Sequence, residues 1–448
     1  MKVVIDRLAW VAKADLTPTK LQVIRAQCLV RPRKVGDFPG DPPSPIELWT
    51  ETETHIGVPR EYYLANRRPS HEIEYKYTMG TGLPSPLVFE GELRDDQQAA
   101  HGDVVFAFSE PHCTGGIVRA VPGWGKTVLC CAVIAAVDVP TLVVVHKEFL
   151  MNQWRERIAK FLPEAEVGLV QQDTCDFEGK HVVMAMVHSL AQKGYPAALY
   201  RRFGLLITDE VHRIGAETWS PVPAKFACRW RLGVSATPHR KDGADNVFKY
   251  HIGKTLHSTR AQRLKVKVKR VWTDFKLIKS NSFNPNLAPR SLLIQFLTGS
   301  RKRNTRIAGQ LVAAAAAGRK ILVLSERLKH LDDIHRSLIT RWNKEHSGEP
   351  VPSTGYYVGG RSEAQLKEAA EARVIFATKQ YATEGLDIPA LDTLLLATPM
   401  GDVEQAVGRI QRPHDGKKEP IVIDIRDDYV RPFKAAGEMR DKFYLRVT

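Results

Sequence analysis

Ala120-Val121-Pro122-Gly123-Trp124-Gly125-Lys126-Thr127 follows a short strand-like stretch, Gly116 to Arg119, and opens an apolar helical run, Val128 to Val137. Strand, glycine-rich turn and helix in that order are what a phosphate loop needs. Backbone N–H groups of the turn can converge on phosphate oxygens, and the helix N-terminus favours negative charge. Lys126 can reach the β and γ phosphates and Thr127 can ligate Mg²⁺. Ala120 stands where the usual pattern begins with glycine. Taken alone, the stretch also fits a Gly-Pro turn capped by a surface lysine.

A second stretch bears on that choice. Leu205-Leu206-Ile207-Thr208-Asp209-Glu210-Val211-His212 is an apolar strand ending in two acids. Alone, such a pair is commonly a solvated turn. Beside a phosphate loop in one α/β unit, Asp209 would hold Mg²⁺ and Glu210 would polarise water in line with the γ phosphate.

Around these stretches the chain alternates short apolar strands with amphipathic helices, the pattern of parallel α/β sheets. Strands are expected at Gly116 to Arg119, Thr141 to Val145, His181 to Met186, Leu205 to Thr208 and Leu232 to Ser235. After a break near Lys254 they resume at Ile321 to Leu324, Val374 to Ala377, Thr393 to Leu396 and Ile421 to Asp424. Residues 1–90 differ: strand-like Leu21 to Val30, Ile46 to Val58 and Glu72 to Tyr77 surround a proline-rich turn region, Pro32 to Pro45. The expected organisation is a small β-rich or α+β module (1–90) followed by two α/β domains (91–255 and 256–448).

The 448 residues carry 65 Lys and Arg against 50 Asp and Glu, a net charge of +15 that points to a polyanionic partner. The excess is local. Residues 1–90 and 91–255 each carry +1, whereas 256–306 hold thirteen Lys or Arg and one acid, Asp274. Lys265, Lys267 and Lys269 alternate with Val266 and Val268, so on a strand they share a face. They are either edge-strand lysines that discourage aggregation or, with Arg301, Lys302, Arg303 and Arg306, a rail for nucleic-acid phosphates. The six cysteines form no C-x-x-C pair, which excludes a disulfide framework or zinc ribbon, and no apolar run is long enough for a membrane span. A soluble protein of the cytoplasm is expected.

Asp209-Glu210-Val211-His212, Ser235-Ala236-Thr237-Pro238 and Gln405-Ala406-Val407-Gly408-Arg409-Ile410-Gln411-Arg412 resemble the DExH box, motif III and motif VI of superfamily 2 helicases, in the family's order after Lys126 and Thr127. Arg231 to Gly243 and Leu93 to Gln97 more narrowly resemble phage recombination and branch-migration helicases and the DNA-repair helicase of the transcription machinery. The resemblance implies two tandem RecA-like domains with ATP between them. It places Arg94 and Gln97 on the adenine, and Ser235 and Thr237 between the hydrolysis site and the nucleic-acid groove. Arg409 and Arg412, from one helix face shared with Gln405, would meet the γ phosphate. Gly385, Leu386 and Asp387 resemble motif V, with Asp387 on the ribose or the opposing domain, and Thr378 lies where the family contacts a nucleic-acid phosphate. The family's motif Ia pattern is absent from Val145-His146-Lys147, where Lys147 could supply that contact.

The activity so implied is that of an ATP- and Mg²⁺-dependent DNA helicase or translocase. It would act on single-stranded, forked or four-way-junction DNA in recombination, repair or replication, moving 3′ to 5′, with a phage-type enzyme in the host cytoplasm as the specific expectation. A restriction or repair translocase subunit and an RNA helicase are alternatives within the family, and a catalytically dead scaffold is one outside it. Trp10, Trp49, Tyr62, Tyr63, Tyr75 and Tyr77 could stack on bases or form the core of the first module. Ile56 to Arg60 resembles sequence preceding the helicase core in related phage enzymes, where such modules help recognise branched DNA.

Overall fold

The computed structural model describes all residues except 34–42, 81–82, 84, 122, 216–219, 237–238, 241, 260–263, 280–282, 286 and 380–387. The chain divides into two compact units, Met1–Ala261 and Gln262–Thr448.

In the first unit an eight-stranded sheet runs Thr174–Asp176, Val167–Gln171, Val182–Met186, Thr141–Val145, Leu205–Asp209, Trp230–Ser235, Gly115–Arg119, Thr255–Ser258. Every pairing is parallel except that of the first two strands. The apolar runs read from sequence are continuous because both faces are covered. Leu205 and Ile207 point into one core with Val143 and Val145, and Leu206 into another with Leu142 and Val144. In parallel strands all carboxyl ends lie on one edge. There the register sets Arg119 opposite Ser235 and Val234 opposite Asp209.

Residues 1–90 form an α+β layer on this unit. A five-stranded sheet, in the order Thr50–Glu51, His55–Val58, Ala9–Ala12, Lys2–Ile5, Glu72–Tyr75, is antiparallel except for its last pair. Trp10 lies across from Gly57, where a Cβ would come within 2.8 Å of its ring. The strand expected at Leu21 to Val30 is instead a helix, Pro18–Gln27, followed by the two-residue strand Leu29–Val30. Thr17 accepts the Lys20 N–H at 3.3 Å and Pro18 sits at the first turn, start signals that outweigh the strand preference of Val23 and Ile24. Likewise, Ile46 to Val58 is three short strands rather than one.

This layer shares a core with the unit beneath it. Val3, Ile5, Val11, Ile56, Val58, Tyr62 and Tyr63 pack with Ile117, Val211, Val247, Phe248 and Ile252. Tyr62 and Tyr63 are thus core residues, not stacking platforms. Two buried guanidiniums cross the boundary. Arg60 donates to the Cys228 carbonyl at 2.6 Å and the Thr114 carbonyl at 3.3 Å, while Arg231 donates to the Arg7 carbonyl at 2.8 Å and the Phe226 carbonyl at 3.1 Å. Thr114 donates its hydroxyl to Glu61, whose carboxyl burial pushes upward against the opposing pull of that bond and of both arginines.

The second unit holds a six-stranded, all-parallel sheet: Lys267–Trp272, Ile421–Arg426, Thr393–Leu396, Ile321–Ser325, Val374–Thr378, Thr354–Tyr357. Leu322 and Leu324 face one core, Ile321 and Val323 the other. Lys267–Trp272 is an edge strand, with Lys265 just before it, and Lys265, Lys267 and Lys269 are all exposed. Part of the basic excess is structural. Arg303, read as part of a surface rail, is buried and makes a two-pronged pair with Asp427 at 2.8 and 2.9 Å, because its helix, Arg301–Ala316, turns that face inward. Lys302 pairs with Asp274, Lys267 with Glu419 at 2.6 Å and Arg270 with Asp441 at 2.9 Å. Among the described residues no helix is long and apolar enough to cross a membrane.

Candidate active site

The loop after strand Gly115–Arg119 rises between two glycines in the left-handed region, Gly123 at φ 78° and Gly125 at φ 93°, and Lys126 begins the helix Lys126–Val137. Such a bend favours residues without Cβ. At Gly125 a Cβ would also lie 2.4 Å from Gln97 Nε2. Ala120 has no positive φ and is buried, its N–H bound to the Ser235 carbonyl at 3.0 Å, so a methyl is accommodated where the usual pattern has glycine. Lys126 Nζ folds back to 3.4 Å from the Ala120 carbonyl.

Arg94 and Gln97 face the loop. Both donate to the Trp124 carbonyl, at 2.6 and 3.0 Å, and the Gln97 side-chain oxygen accepts the Arg94 N–H at 3.1 Å. Gln97 is buried, and Asp96 accepts the Trp124 indole N–H. The start of helix Asp95–Ser109 therefore clamps the loop from behind.

Asp209 ends its strand two strands from the loop, about 10 Å at roughly 4.8 Å per strand. Glu210 follows at φ 49°, a left-handed value that is uncommon for a residue with a side chain. Its N–H binds Asp209 Oδ1 at 2.9 Å, and Trp154 Nε1 donates to Asp209 Oδ2 at 3.0 Å. Ser235 Oγ donates to Glu210 Oε2 at 3.1 Å, while His212 Nδ1 lies 2.9 Å from Ser235 Oγ and 3.4 Å from Glu210 Oε2. Burial pushes His212 down to about 4 against the pull of Glu210, so its ring is neutral near pH 7. A neutral His212 then donates Nδ1–H to Ser235, whose own proton goes to Glu210. Burial raises Asp209, with the Glu210 charge adding to it. Burial also pushes Glu210 upward, but the Lys126 charge and the Ser235 hydroxyl, joined by His212 only where acid protonates its ring, outweigh it and hold Glu210 below the usual carboxylate range.

Lys147 precedes helix Glu148–Phe161, its Nζ 5.7 Å from the centroid of the Phe149 ring. In the second unit Thr378 ends strand Val374–Thr378, and Gln405 and Arg409 lie on the short helix Glu404–Ile410, Arg409 mostly buried and Gln405 half-buried. Arg412 does not share that helix face, because the helix stops at Ile410 and Arg412 sits in the turn beyond it. Gln411 is buried, its amide donating to the Leu264 carbonyl at 3.0 Å. Thr237, Gly385, Leu386 and Asp387 lie outside the described residues.

Residues 90–240 match the family described as type III restriction enzyme, res subunit. A protein of Acanthamoeba polyphaga mimivirus, provisionally named ATP-dependent RNA helicase L396, is 30% identical over 463 residues, spanning 99% of this chain and 85% of its own length. The chain is a superfamily 2 helicase. This helicase also matches the DNA 3′-5′ translocase XPB2 of Sulfurisphaera tokodaii, 31% identical over 221 residues, which are 48% of this chain and 46% of that protein. Among solved structures, the ATP-dependent type ISP restriction-modification enzyme LlaBIII bound to DNA aligns with a TM-score of 0.55 at 18% identity, covering 80% of this chain and 30% of that one; the two share a fold. The helicase is accordingly a nucleic-acid-dependent ATPase.

The arrangement suits a divalent cation held jointly with phosphate. Asp209 and Glu210 are two half-buried carboxylates side by side, and each Asp209 oxygen, already holding one hydrogen bond, keeps capacity to accept another partner. Among the described residues no cluster of three or more His, Cys, Asp or Glu could hold a metal alone. That fits an ion such as Mg²⁺, which takes one or two protein oxygens and completes its shell with phosphate and water. Trp154 escaped the sequence reading because Met151, Trp154 and Ile158 fall at the spacing of an ordinary buried helix face.

Proposed function

We propose that this helicase couples Mg·ATP hydrolysis to movement along DNA and remodels forked or four-way junctions, in recombination, repair or replication. The observation that carries the catalytic part is the meeting, on one sheet edge, of a glycine-bent loop bearing Lys126 with a Glu210 carboxylate held ionised by Lys126 and Ser235.

In this reading Lys126 and the loop N–H groups, with Gly123 and Gly125, receive the β and γ phosphates. Thr127 and Asp209 would hold Mg²⁺, which when bound neutralises charge on the phosphate oxygens. Glu210 orients and deprotonates the attacking water, while Trp154 and the Glu210 N–H fix the Asp209 carboxylate. Arg409 and Arg412 stabilise charge on the γ phosphate, Gln405 supports them, and Gly385 and Asp387 belong to the same nucleotide-facing segment. Arg94 and Gln97 act first as the clamp on Trp124, so reading adenine with Gln97 requires a shift of that contact. Lys147 and Thr378 contact nucleic-acid phosphates.

DNA is favoured by the match to the archaeal DNA 3′-5′ translocase, which also supports 3′ to 5′ movement. RNA is the second reading, favoured by the name of the mimivirus relative that spans nearly the whole chain. ATP hydrolysis and strand displacement measured on single-stranded, forked and four-way DNA and on matching RNA separate them. Branched DNA should stimulate most, and RNA stimulating more than branched DNA would overturn the choice.

Lys265, Lys267 and Lys269 add backbone contacts in this reading, Lys267 after leaving Glu419. Among the described residues Lys265 and Lys269 form no ion pair with a carboxylate at all. Replacing all three by Ala should make the plot of log affinity against log salt shallower by about 2 to 3, at roughly 0.9 per phosphate contact on duplex DNA. An unchanged slope assigns the lysines to edge protection alone.

A further inference from the structure

Lys417 stands apart from every motif in the sequence, yet its ammonium links the last residue of one of them to Pro389. It donates to the Arg412 carbonyl at 2.7 Å and to the Pro389 carbonyl at 2.9 Å. Arg412 ends the arginine-bearing segment, and Pro389 closely follows Gly385 to Asp387. Residues Pro413-His414-Asp415-Gly416-Lys417 supply the means. The Lys417 N–H bonds the His414 carbonyl at 3.2 Å, and Gly416 at φ 70° takes the third position of the turn, where glycine carries no steric penalty. The turn reverses the chain so that the lysine stem passes back under Arg412.

We propose that Lys417 is a positioning residue for Arg412, fixing the backbone from which that guanidinium projects by tying it to the Pro389 carbonyl. The proposal rests on the reading of Arg412 as a γ-phosphate ligand. Three observations support it. The two accepting carbonyls are 23 residues apart in sequence, so the contact is tertiary. Arg412 lies beyond the end of helix Glu404–Ile410, in the connection that leads into the turn bearing Lys417. Burial lowers the Lys417 ammonium to about 8, Asp392 opposing and Arg412 adding to the shift. A cation kept half-buried beside another cation is costly, and its two charge-assisted bonds to carbonyls offset that cost.

The test is a double-mutant cycle on the full chain. DNA-stimulated kcat, the KM for ATP and the thermal midpoint are compared for Lys417→Met, Lys417→Gln, Arg412→Ala and Arg412→Ala/Lys417→Met. Arg412→Ala should lower kcat by at least about 10²-fold, a lower bound from the effect of arginine fingers. Lys417→Met should lower it about tenfold with KM within twofold, and Lys417→Gln, which keeps an N–H donor, should recover part of the loss. The double variant should match Arg412→Ala alone, because a residue acting only through Arg412 has nothing left to act on. A wild-type kcat in Lys417→Met beside an impaired Arg412→Ala would overturn the role of Lys417. So would a tenfold loss that persists in the Arg412→Ala background, or one that follows a fall in thermal midpoint across all Lys417 variants. A wild-type kcat in Arg412→Ala would remove the reading beneath the proposal, and the proposal with it.

Discussion

Glu210→Gln should lower nucleic-acid-stimulated ATP hydrolysis by about 10²- to 10⁴-fold, the range expected for loss of a positioned general base, while ATP affinity stays within about threefold of wild type. The substitution keeps shape and most contacts. A glutamine oxygen can still accept the Ser235 hydroxyl, now at 3.1 Å from Glu210 Oε2, and the Glu210 N–H bond to Asp209 belongs to the backbone. What is lost is the anion. Glu210 is held ionised by Lys126 and the Ser235 hydroxyl against burial, the state a base needs at neutral pH. Its left-handed backbone, φ 49°, fixes where the carboxylate points, and glutamine inherits that constraint. Affinity should survive because the Glu210 charge is among the causes that raise Asp209; removing it leaves Asp209 more readily ionised. Single-turnover hydrolysis with nucleotide binding by fluorescence decides the matter. A Gln variant that turns over at more than a tenth of the wild-type rate would move the base elsewhere.

The parallel sheets were legible because each strand is a short apolar run with both faces buried, as Leu205 to Ile207 and Ile321 to Leu324 illustrate. The placement of Asp209 and Ser235 at strand ends, of Glu210 just after one, and of Lys126 at a helix start was legible too, since apolar runs mark where strands and helices stop and begin. What escaped was tertiary. Nothing local marks Trp154 as an Asp209 partner, Arg303 as buried or Lys417 as a bridge, because each depends on which face of its own element meets another. The resemblance supplied an adenine partner for Arg94 and Gln97, but their contact with the Trp124 carbonyl cannot be read from spacing. Leu21 to Val30 shows the reverse error: a β-branched pair suggested a strand, while Thr17-Pro18 marked a helix start.

Removing residues 1–90 should leave a chain that does not fold, and Arg60→Ala alone should cost about 2–4 kcal/mol, because it leaves buried carbonyl acceptors without their donor. A charge of only +1 and the Pro32 to Pro45 stretch make this segment look separable in sequence. Its packing argues otherwise. Without it Ile117, Val211, Val247, Phe248 and Ile252 lose the apolar layer that covers them. Arg231 would keep its bonds to the Phe226 and His251 carbonyls but lose that of Arg7, together with the nearby Glu61 carboxylate that favours its buried charge. The Cys228 and Thr114 carbonyls would lose Arg60. These losses reach the catalytic edge, because Arg231 and Ser235 lie on the same strand and Ser235 bonds Glu210. Urea unfolding followed by circular dichroism tests Arg60→Ala, with Arg60→Lys as the milder variant that keeps charge but loses the planar fork. Expression of residues 91–448 tests the truncation. A soluble fragment with a cooperative transition near that of the full chain would show the N-terminal layer to be an appendage; an unfolded one would mean that any role it has in recognising branched DNA must be probed by surface substitutions rather than by deletion.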